Sequence, residues 1–223
     1  MTNLHVVDWS KIPAPEDDGA TSHLVGKKLP SLYLRATNGK RIDLSTIHGR
    51  CVVYAYPMTG KPETSLPDGW DMLPGARGCT PQSCAFRDHA LELKELGANE
   101  IFGLSTQDTT YQAEVAERLH LPLPLLSDKD LILTDAIQLP TMTVTGMILL
   151  KRLTMIIRGG EIEHVFYPVF SPRAERVRRN RLADHQPNLA IRNVTFITIE
   201  SAGRLRYQSV HRHRQSIPRC KAR

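Results

Sequence analysis

The sequence predicts an α/β fold of three layers, in which helices cover both faces of a central mixed sheet. From residue 51 onward, short and continuously apolar segments alternate with amphipathic helical segments, the order typical of sheets with parallel strands. Asn38-Gly39 and Gly159-Gly160 are hairpin turn sequences near the two ends of this region. We assign residues 24–171 to one domain, preceded by an irregular N-terminal arm at residues 1–23 and followed by a tail at residues 172–223.

The first predicted elements are an opening hairpin and a buried strand. Residues 29–34 and 40–44 flank Asn38-Gly39, which favours an antiparallel pair with a tight turn. Residues 51–56 are continuously apolar and β-prone, as expected of a central strand buried on both faces, and Pro57 ends it. A loop rich in proline and glycine then leads towards Cys79.

Residues 80–96 are predicted to form a helix directly after Cys79. Thr80 is expected to be its N-cap, Pro81 suits the first helical position, and the apolar stripe of the helix ends at Gly97. The later elements are a strand at 101–105, a helix at 108–119, a strand at 124–127, a helix at 128–139, a strand at 147–150, and a closing hairpin of residues 152–158 and 161–167.

Positive charge is concentrated in the tail. The chain carries a net charge of +6, but its tail alone has 13 Lys and Arg against 3 Asp and Glu, so the remainder is net negative. Nucleic-acid binding is therefore not expected of the domain, and a basic arm that binds nucleic acid or an acidic partner is one hypothesis for the tail. The other is a non-native C-terminus caused by a reading-frame change near Ser171 or Pro172, because residues 173–177 begin like an amphipathic helix whose apolar stripe is then lost.

Composition and cysteine usage favour a cytoplasmic protein. No run of apolar residues approaches the ~18 that a membrane span requires, and residues 1–15 do not have the pattern of a secretory signal. Four cysteines without an export signal indicate a reducing compartment, where cysteines are more often catalytic or buried than joined in structural disulfides.

Cys79 and Cys84 are the candidate reactive groups. A cysteine reacts as the thiolate, which is favoured at a helix N-terminus and beside a cation such as Arg77. Gly75 and Gly78 either let the backbone approach a substrate closely or only form the turn. If the intervening turn is wholly helical, the Cα atoms of the two cysteines lie roughly 8–9 Å apart, beyond the ~7 Å that a disulfide tolerates. Oxidation of the pair would therefore require local unfolding.

Two parts of the sequence carry a family resemblance. Residues 79–88, CTPQSCAFRD, follow the apolar strand that ends at Pro57, and residues 151–157 precede a second β-prone segment at residues 160–166. Together they resemble the peroxiredoxins, in particular the bacterioferritin-comigratory or Q-type group, in which a resolving cysteine lies five residues after the peroxidatic one. The resemblance covers residues 24–170 and implies a thioredoxin-like fold.

The resemblance also implies an activity. Cys79 would attack a peroxide and become a sulfenic acid, which Cys84 would condense to a disulfide that thioredoxin or a similar dithiol reduces. Arg152 would lie over the thiolate, lower its pKa and stabilise the leaving oxygen. The residues expected to line the peroxide site are Pro57, Gly78 and Thr80. Neither a metal nor a cofactor is expected, and a monomer is expected because the resolving thiol lies in the same chain.

The chain departs from the family pattern at two positions. Where the family has Thr or Ser, three residues before the peroxidatic cysteine, this chain has Ala76. Pro57 is the equivalent of the family's proline only if the loop after it bulges outward. The hydroxyl groups that could return to the site are those of Thr59, Thr64 and Ser65. A competing hypothesis is a thioredoxin-fold disulfide reductase or redox sensor, which would use the same cysteines without efficient peroxidase activity.

The remaining cysteines and the histidines are given structural or incidental roles. Cys51 begins a central strand and is expected to be a small buried apolar residue. Cys220 lies in the basic tail and is considered incidental. Three histidines are interpreted as surface or core residues because they lack the mutual spacing and the cysteine partners of a zinc site: His89, His120 and His164.

Overall fold

The computed structural model describes residues 12–170 and two later strands, Ile197–Ile199 and Leu205–Tyr207. These two strands pair antiparallel with each other. The remainder of the tail, including Cys220, lies outside the described residues. Both hypotheses made for the tail concern these residues. The division of the chain into three segments stays a prediction.

Nine strands lie between residues 12 and 170, and seven of them form the central sheet. They are β1 (Leu34–Ala36), β2 (Arg41–Ile42), β3 (Arg50–Ala55), β4 (Ala98–Ser105), β5 (Leu125–Ser127), β6 (Thr141–Val144), β7 (Met147–Leu150), β8 (Leu153–Arg158) and β9 (Glu161–Phe166). The sheet has the order β2-β1-β5-β4-β3-β8-β9. Its central strands β3, β4 and β5 are parallel, and the outer neighbours are antiparallel. The predicted mixed sheet is confirmed.

Four α-helices accompany the sheet: α1 (Cys79–Asp88), α2 (Ala90–Glu95), α3 (Thr109–Arg118) and α4 (Ile132–Ile137). α3 begins as predicted, since the side chain of Asp108 caps it by accepting a hydrogen bond from the N–H of Tyr111 at 2.7 Å. α4 begins later than predicted, at Ile132, because Asp128 lies before the helix and Leu131 enters it with a φ of 57°.

The helix predicted over residues 80–96 needed two corrections. Gly78, and not Thr80, is the N-cap of α1, because its φ of 102° lets the chain enter the helix at Cys79. Pro81 is then the third helical residue, where the missing N–H would have had no intrahelical partner. His89 adopts φ −108° and ψ 10° and separates α1 from α2, so the prediction of one continuous helix is wrong.

Both hairpin predictions hold, and a third hairpin was not predicted. β1 and β2 pair around Gly39, although both are shorter than expected. β8 and β9 pair around Gly159-Gly160; Gly160 has a φ of +78°, and an added Cβ would lie 2.5 Å from the backbone oxygen of Ser45. β6 was missed; it pairs with the predicted strand β7 around Gly146 and forms a separate two-stranded sheet.

The side chains of β3 alternate between two apolar clusters on opposite faces of the sheet. Cys51, Val53 and Ala55 pack into the cluster that includes α4, whereas Tyr54 and the other alternate residues pack into the cluster that includes α1, α2 and α3. This alternation is the period of two expected of a strand. Cys51 therefore lies on the face of the sheet away from Cys79.

The described part of the N-terminal arm has no helix or strand, and it packs against the end of the domain. The carboxylate of Asp18 accepts hydrogen bonds from Lys151 Nζ at 2.7 Å and from the hydroxyl of Tyr167 at 2.9 Å. These two bonds hold the pKa of Asp18 at about 2. Within the described residues, none of the helices has the length and apolar character needed to cross a membrane.

Candidate active site

Cys79 is the first residue of α1 and is almost fully buried, with 3% of its surface exposed. Its thiol donates a hydrogen bond to the backbone oxygen of Ala76 at 3.4 Å. The backbone N–H of Met58, from the segment that follows β3, also contacts the Cys79 sulfur. The left-handed Gly78 between Ala76 and Cys79 makes this tight approach possible.

Burial is the largest influence on the Cys79 thiol, and it raises the pKa above the usual value for cysteine. Four groups lower the pKa, in decreasing order of effect: Arg152, the backbone N–H of Met58, the N–H of Cys79 itself and Arg77. The expected influences of the helix start and of nearby cations are therefore present. Burial outweighs their combined effect, so the net shift of the Cys79 pKa is upward.

Arg152 supplies the main positive charge beside Cys79. It is 3% exposed, its Nε donates to the backbone oxygen of Gly75 at 2.9 Å, and its Nη1 donates to that of Gly78 at 3.4 Å. Both acceptors belong to the loop just before Cys79, so the guanidinium and the thiol are held together by the same short segment. Burial lowers the pKa of Arg152, and Cys79 raises it.

Arg77 has a smaller role than its position in the sequence suggests. It forms an exposed two-bond ion pair with Asp71, and it is the last of the influences that lower the pKa of Cys79. Arg152 is far away in sequence, yet it has the larger effect because the sheet places β8 beside β3.

Cys84 lies in the same helix as Cys79 and is also buried, with 5% of its surface exposed. The two cysteines are not joined by a disulfide. Both pack into the cluster with Tyr54, whose ring stacks on Phe86 at 4.2 Å between centroids and whose hydroxyl lies 3.4 Å from that of Ser83. The continuous helix from Cys79 to Asp88 has the geometry that predicts local unfolding before a disulfide can form.

The segment after β3 forms one wall of the site and is held firmly. The backbone oxygen of Pro57 accepts a hydrogen bond from Ser105 at 2.9 Å. Tyr111 donates to the oxygen of Thr59 at 2.5 Å, and Arg118 donates to that of Gly60 at 3.0 Å. Pro57 directly precedes Met58, whose N–H contacts the Cys79 sulfur, and its equivalence to the family's proline stays a prediction.

Among the three candidate hydroxyl groups, only that of Thr59 is buried. Thr59 is 1% exposed, whereas Thr64 and Ser65 lie on the surface. The methyl group of Ala76 is fully buried in an apolar cluster with Met58, Trp70, Val144 and Leu149. The hydroxyl group that the sequence lacks at residue 76 is therefore replaced there by apolar packing.

The structure brings most of the predicted site residues together. Cys79, Gly78 and Arg152 are in contact or electrostatic range, Pro57 adjoins Met58, and Thr80 is a half-buried second residue of α1. Sequence reasoning missed the N–H of Met58 and the side chain of Tyr111, because both depend on contacts between distant segments. No group of three metal-ligating side chains occurs in residues 12–170.

A buried thiol at a helix start, a second thiol five residues later and a buried guanidinium beside the first thiol are the arrangement of a thiol-redox protein with a thioredoxin-like fold. Comparison with known proteins agrees. The model of the Redoxin family matches residues 24–182, and the chain belongs to this family.

Two curated relatives are plant proteins. Peroxiredoxin Q, chloroplastic, from Oryza sativa subsp. japonica is 29% identical over 148 residues, which cover 66% of this chain and 60% of the relative. The protein of the same name from Triticum aestivum is 28% identical over 167 residues, 72% of this chain and 69% of the relative. The chain thus spans about 60% of the length of the rice protein.

Solved structures show the same fold. The peroxidoxin BcpB from Mycobacterium tuberculosis is 26% identical, with a TM-score of 0.51 over 64% of this chain and 84% of that chain. PrxQ from Xylella fastidiosa is 20% identical, with a TM-score of 0.52 over 65% of this chain and 86% of that chain. At 20% identity, the second likeness concerns the fold alone.

Proposed function

We propose that this chain is a thiol-dependent peroxidase that reduces hydrogen peroxide or organic hydroperoxides at Cys79. The observation that carries the proposal is the buried pair of Cys79 and Arg152, in which the guanidinium is fixed by the loop that precedes the cysteine. A positive charge fixed beside a thiol favours the thiolate and stabilises the negative charge that develops on a departing oxygen.

The reaction follows from these groups. The Cys79 sulfur attacks one peroxide oxygen, an S–O bond forms and the O–O bond breaks. Cys79 becomes a sulfenic acid, and the second oxygen leaves as water or an alcohol after taking up the proton that the thiol gave up. Arg152 offers hydrogen bonds to the departing oxygen. The residues proposed to line the peroxide site remain Pro57, Gly78 and Thr80.

Cys84 is proposed as the resolving cysteine. Its thiol attacks the sulfenic acid of Cys79, water leaves, and a Cys79–Cys84 disulfide forms. This step needs the first turns of α1 to unwind, since a disulfide cannot span five helical residues. Thioredoxin or a similar dithiol would reduce the disulfide and restore the helix. Because both cysteines belong to one helix, we propose that a monomer completes the cycle.

A cytoplasmic location and the absence of a cofactor are further parts of this proposal.

The test is peroxide consumption coupled to a thioredoxin system. The intact chain should turn over, and Cys79→Ser should show no activity above the uncatalysed rate. Cys84→Ser should complete one turnover and stop. Cys51→Ser is the matched control, because Cys51 is buried on the opposite face of the sheet, and it should behave as the intact chain. Absence of peroxide consumption by the intact chain would exclude the proposal.

One observation favours a second candidate function. The pKa of Cys79 is raised by burial, and residue 76 has no hydroxyl, so the site could serve a disulfide reductase or redox sensor with little peroxidase activity. In that case the intact chain would exchange disulfides with a dithiol or disulfide substrate while leaving peroxide unconsumed in the same coupled test.

A further inference from the structure

Buried polar side chains are paired in most of the described domain but not around Cys79. Gln112, for example, donates from its amide to three backbone oxygens at 2.8–3.4 Å. Within residues 12–170, four buried side-chain atoms have no hydrogen-bond partner: Thr59 Oγ1, Gln82 Nε2, Gln82 Oε1 and Arg152 Nη2. An unpaired buried polar group destabilises the folded state, so several of them in one place indicate a polar ligand.

The three side chains that carry these atoms all belong to segments close to Cys79. Thr59 follows Met58, whose N–H contacts the Cys79 sulfur. Gln82 lies three residues after Cys79 in α1, which is one turn away on the same face of the helix. Arg152 is the strongest of the influences that lower the pKa of Cys79. The unpaired atoms are therefore carried by segments that meet at Cys79, where a peroxide must lie for the sulfur to reach it.

The unpaired hydroxyl of Thr59 is not explained by a loose loop. The two peptide oxygens at Thr59 and Gly60 are bound by Tyr111 and Arg118, and Arg118 is itself fixed by an ion pair with Glu114. The backbone that carries Thr59 is thus held from α3, while its side chain stays 1% exposed. A hydroxyl held in this way is preorganised to donate a hydrogen bond.

We propose that the hydroxyl of Thr59 binds the peroxide at Cys79 and takes the place of the hydroxyl missing at residue 76. This proposal rests on the peroxidase function proposed above. As the S–O bond forms and the O–O bond breaks, Thr59 donates a hydrogen bond to the departing oxygen and keeps its own proton. Arg152 Nη2 is the second donor to the same oxygen, and the proton that completes water or alcohol is the one lost by the Cys79 thiol.

The test compares Thr59→Val, which keeps the shape and removes the hydroxyl, with Thr59→Ser, which keeps the hydroxyl. The measured quantity is the second-order rate constant for oxidation of Cys79 by hydrogen peroxide, in a single turnover that is quenched rapidly and analysed by intact mass. Thr59→Val should lower it about 10²-fold, the usual effect of losing one preorganised donor. Thr59→Ser should stay within about 3-fold of the intact chain.

Two further readouts separate peroxide binding from a structural role. Alkylation of Cys79 by iodoacetamide needs no hydrogen bond to a departing peroxide oxygen, so Thr59→Val should change its rate less than about 3-fold. The melting temperature of Thr59→Val should not fall, because the hydroxyl it removes has no partner in the folded state. Thr64→Val and Ser65→Ala, both at exposed positions, are the controls and should leave the peroxide rate unchanged.

The outcomes distinguish this proposal from the one on which it rests. If the intact chain does not oxidise Cys79 with peroxide, the peroxidase function fails. If the intact chain reacts and Thr59→Val reacts equally fast, the assignment of Thr59 is overturned and the peroxidase function stands. Parallel losses of peroxide reactivity, alkylation rate and melting temperature would also overturn it, since they would show that Thr59 only supports the fold.

Discussion

Asp128 and Cys79 are both buried, but the hydrogen bonding around the two side chains differs. The carboxylate of Asp128 accepts three hydrogen bonds, from the N–H groups of Leu133 and Thr134 and from the hydroxyl of Thr134, at 2.6–3.0 Å. Every donor lies within six residues of it in the chain. The surroundings of Cys79 include groups from distant segments, such as Arg152 and the N–H of Met58, and buried polar atoms without partners. A complete local network stabilises a helix start, whereas an incomplete one assembled across the fold leaves donors for a ligand.

The largest expected effect is on the chemistry at Cys79. Arg152→Met should lower the rate of Cys79 oxidation by peroxide about 10²–10³-fold, because it removes a preorganised charge beside the departing oxygen. Competition with a peroxidase of known rate measures this loss. Arg152→Lys is the matched variant: it keeps the charge but not the planar set of donors, and it should recover only part of the rate. A full rate for Arg152→Met would show that the guanidinium serves only to hold the loop.

The next effect is on stability and concerns Asp128. Asp128→Ala should lower the free energy of unfolding by about 2–4 kcal/mol, since two backbone N–H groups and a hydroxyl lose their acceptor. Urea denaturation followed by circular dichroism measures it, with Asp130→Ala as the control because Asp130 is exposed. The peroxide rate per folded molecule should not change. A lower peroxide rate per folded molecule in Asp128→Ala would show that Asp128 contributes to the reaction at Cys79 and not only to stability.

A third prediction concerns pH. Arg50 donates two hydrogen bonds of 2.8 Å to Glu163 and lowers the pKa of that carboxyl. The stabilisation is therefore present above the unfolded pKa of Glu163 and is lost as the pH falls through the lower folded value. Glu163→Gln should reduce stability at pH 7 by on the order of 1 kcal/mol and flatten its decline below about pH 4.5.

The control for this prediction is Glu161→Gln, which changes an exposed glutamate of the same strand. Urea midpoints at neutral and acidic pH for the three proteins give the comparison. An equal loss of stability at both pH values in Glu163→Gln would show that the ion pair with Arg50 does not contribute through the charge of Glu163.

The smallest expected effect sharpens the assignment of Thr59. Ala76→Ser places a hydroxyl at residue 76, whose methyl group is fully buried among apolar side chains. If Thr59 already supplies the hydroxyl, the peroxide rate should rise less than about 3-fold, and stability should fall by about 1 kcal/mol because a polar group enters an apolar cluster. A rise of the rate by 10-fold or more would show that the site lacks a hydroxyl.

Much of this site could be predicted from the sequence because its chemistry is concentrated in a short segment. The spacing of Cys79 and Cys84 is local, and Arg152 was found through the family resemblance and not through any pattern of its own. Thr59 could be named only as one of three hydroxyl groups, because burial decides among them. Tyr111 and the N–H of Met58 left no trace in the sequence, since they reach the site through the packing of α3 and β3.

The fold shows the same limit. The apolar run of β3 and the Gly159-Gly160 turn carry their own local pattern and were predicted correctly. The break at His89 was not, because no proline or glycine marks it. β6 was missed because residues 141–144 are short and only one of them is buried, so that its pairing with β7 is what defines it as a strand.

Cys79 is proposed to be the residue that reduces the peroxide. The most direct measurement treats Cys84→Ser with one equivalent of hydrogen peroxide in the presence of dimedone, and locates the label by peptide mass spectrometry. We expect complete labelling of Cys79 and none of Cys51, because Cys79 is held as a sulfenic acid when no resolving thiol can condense it. Labelling absent from Cys79, or equal at Cys51, would contradict it.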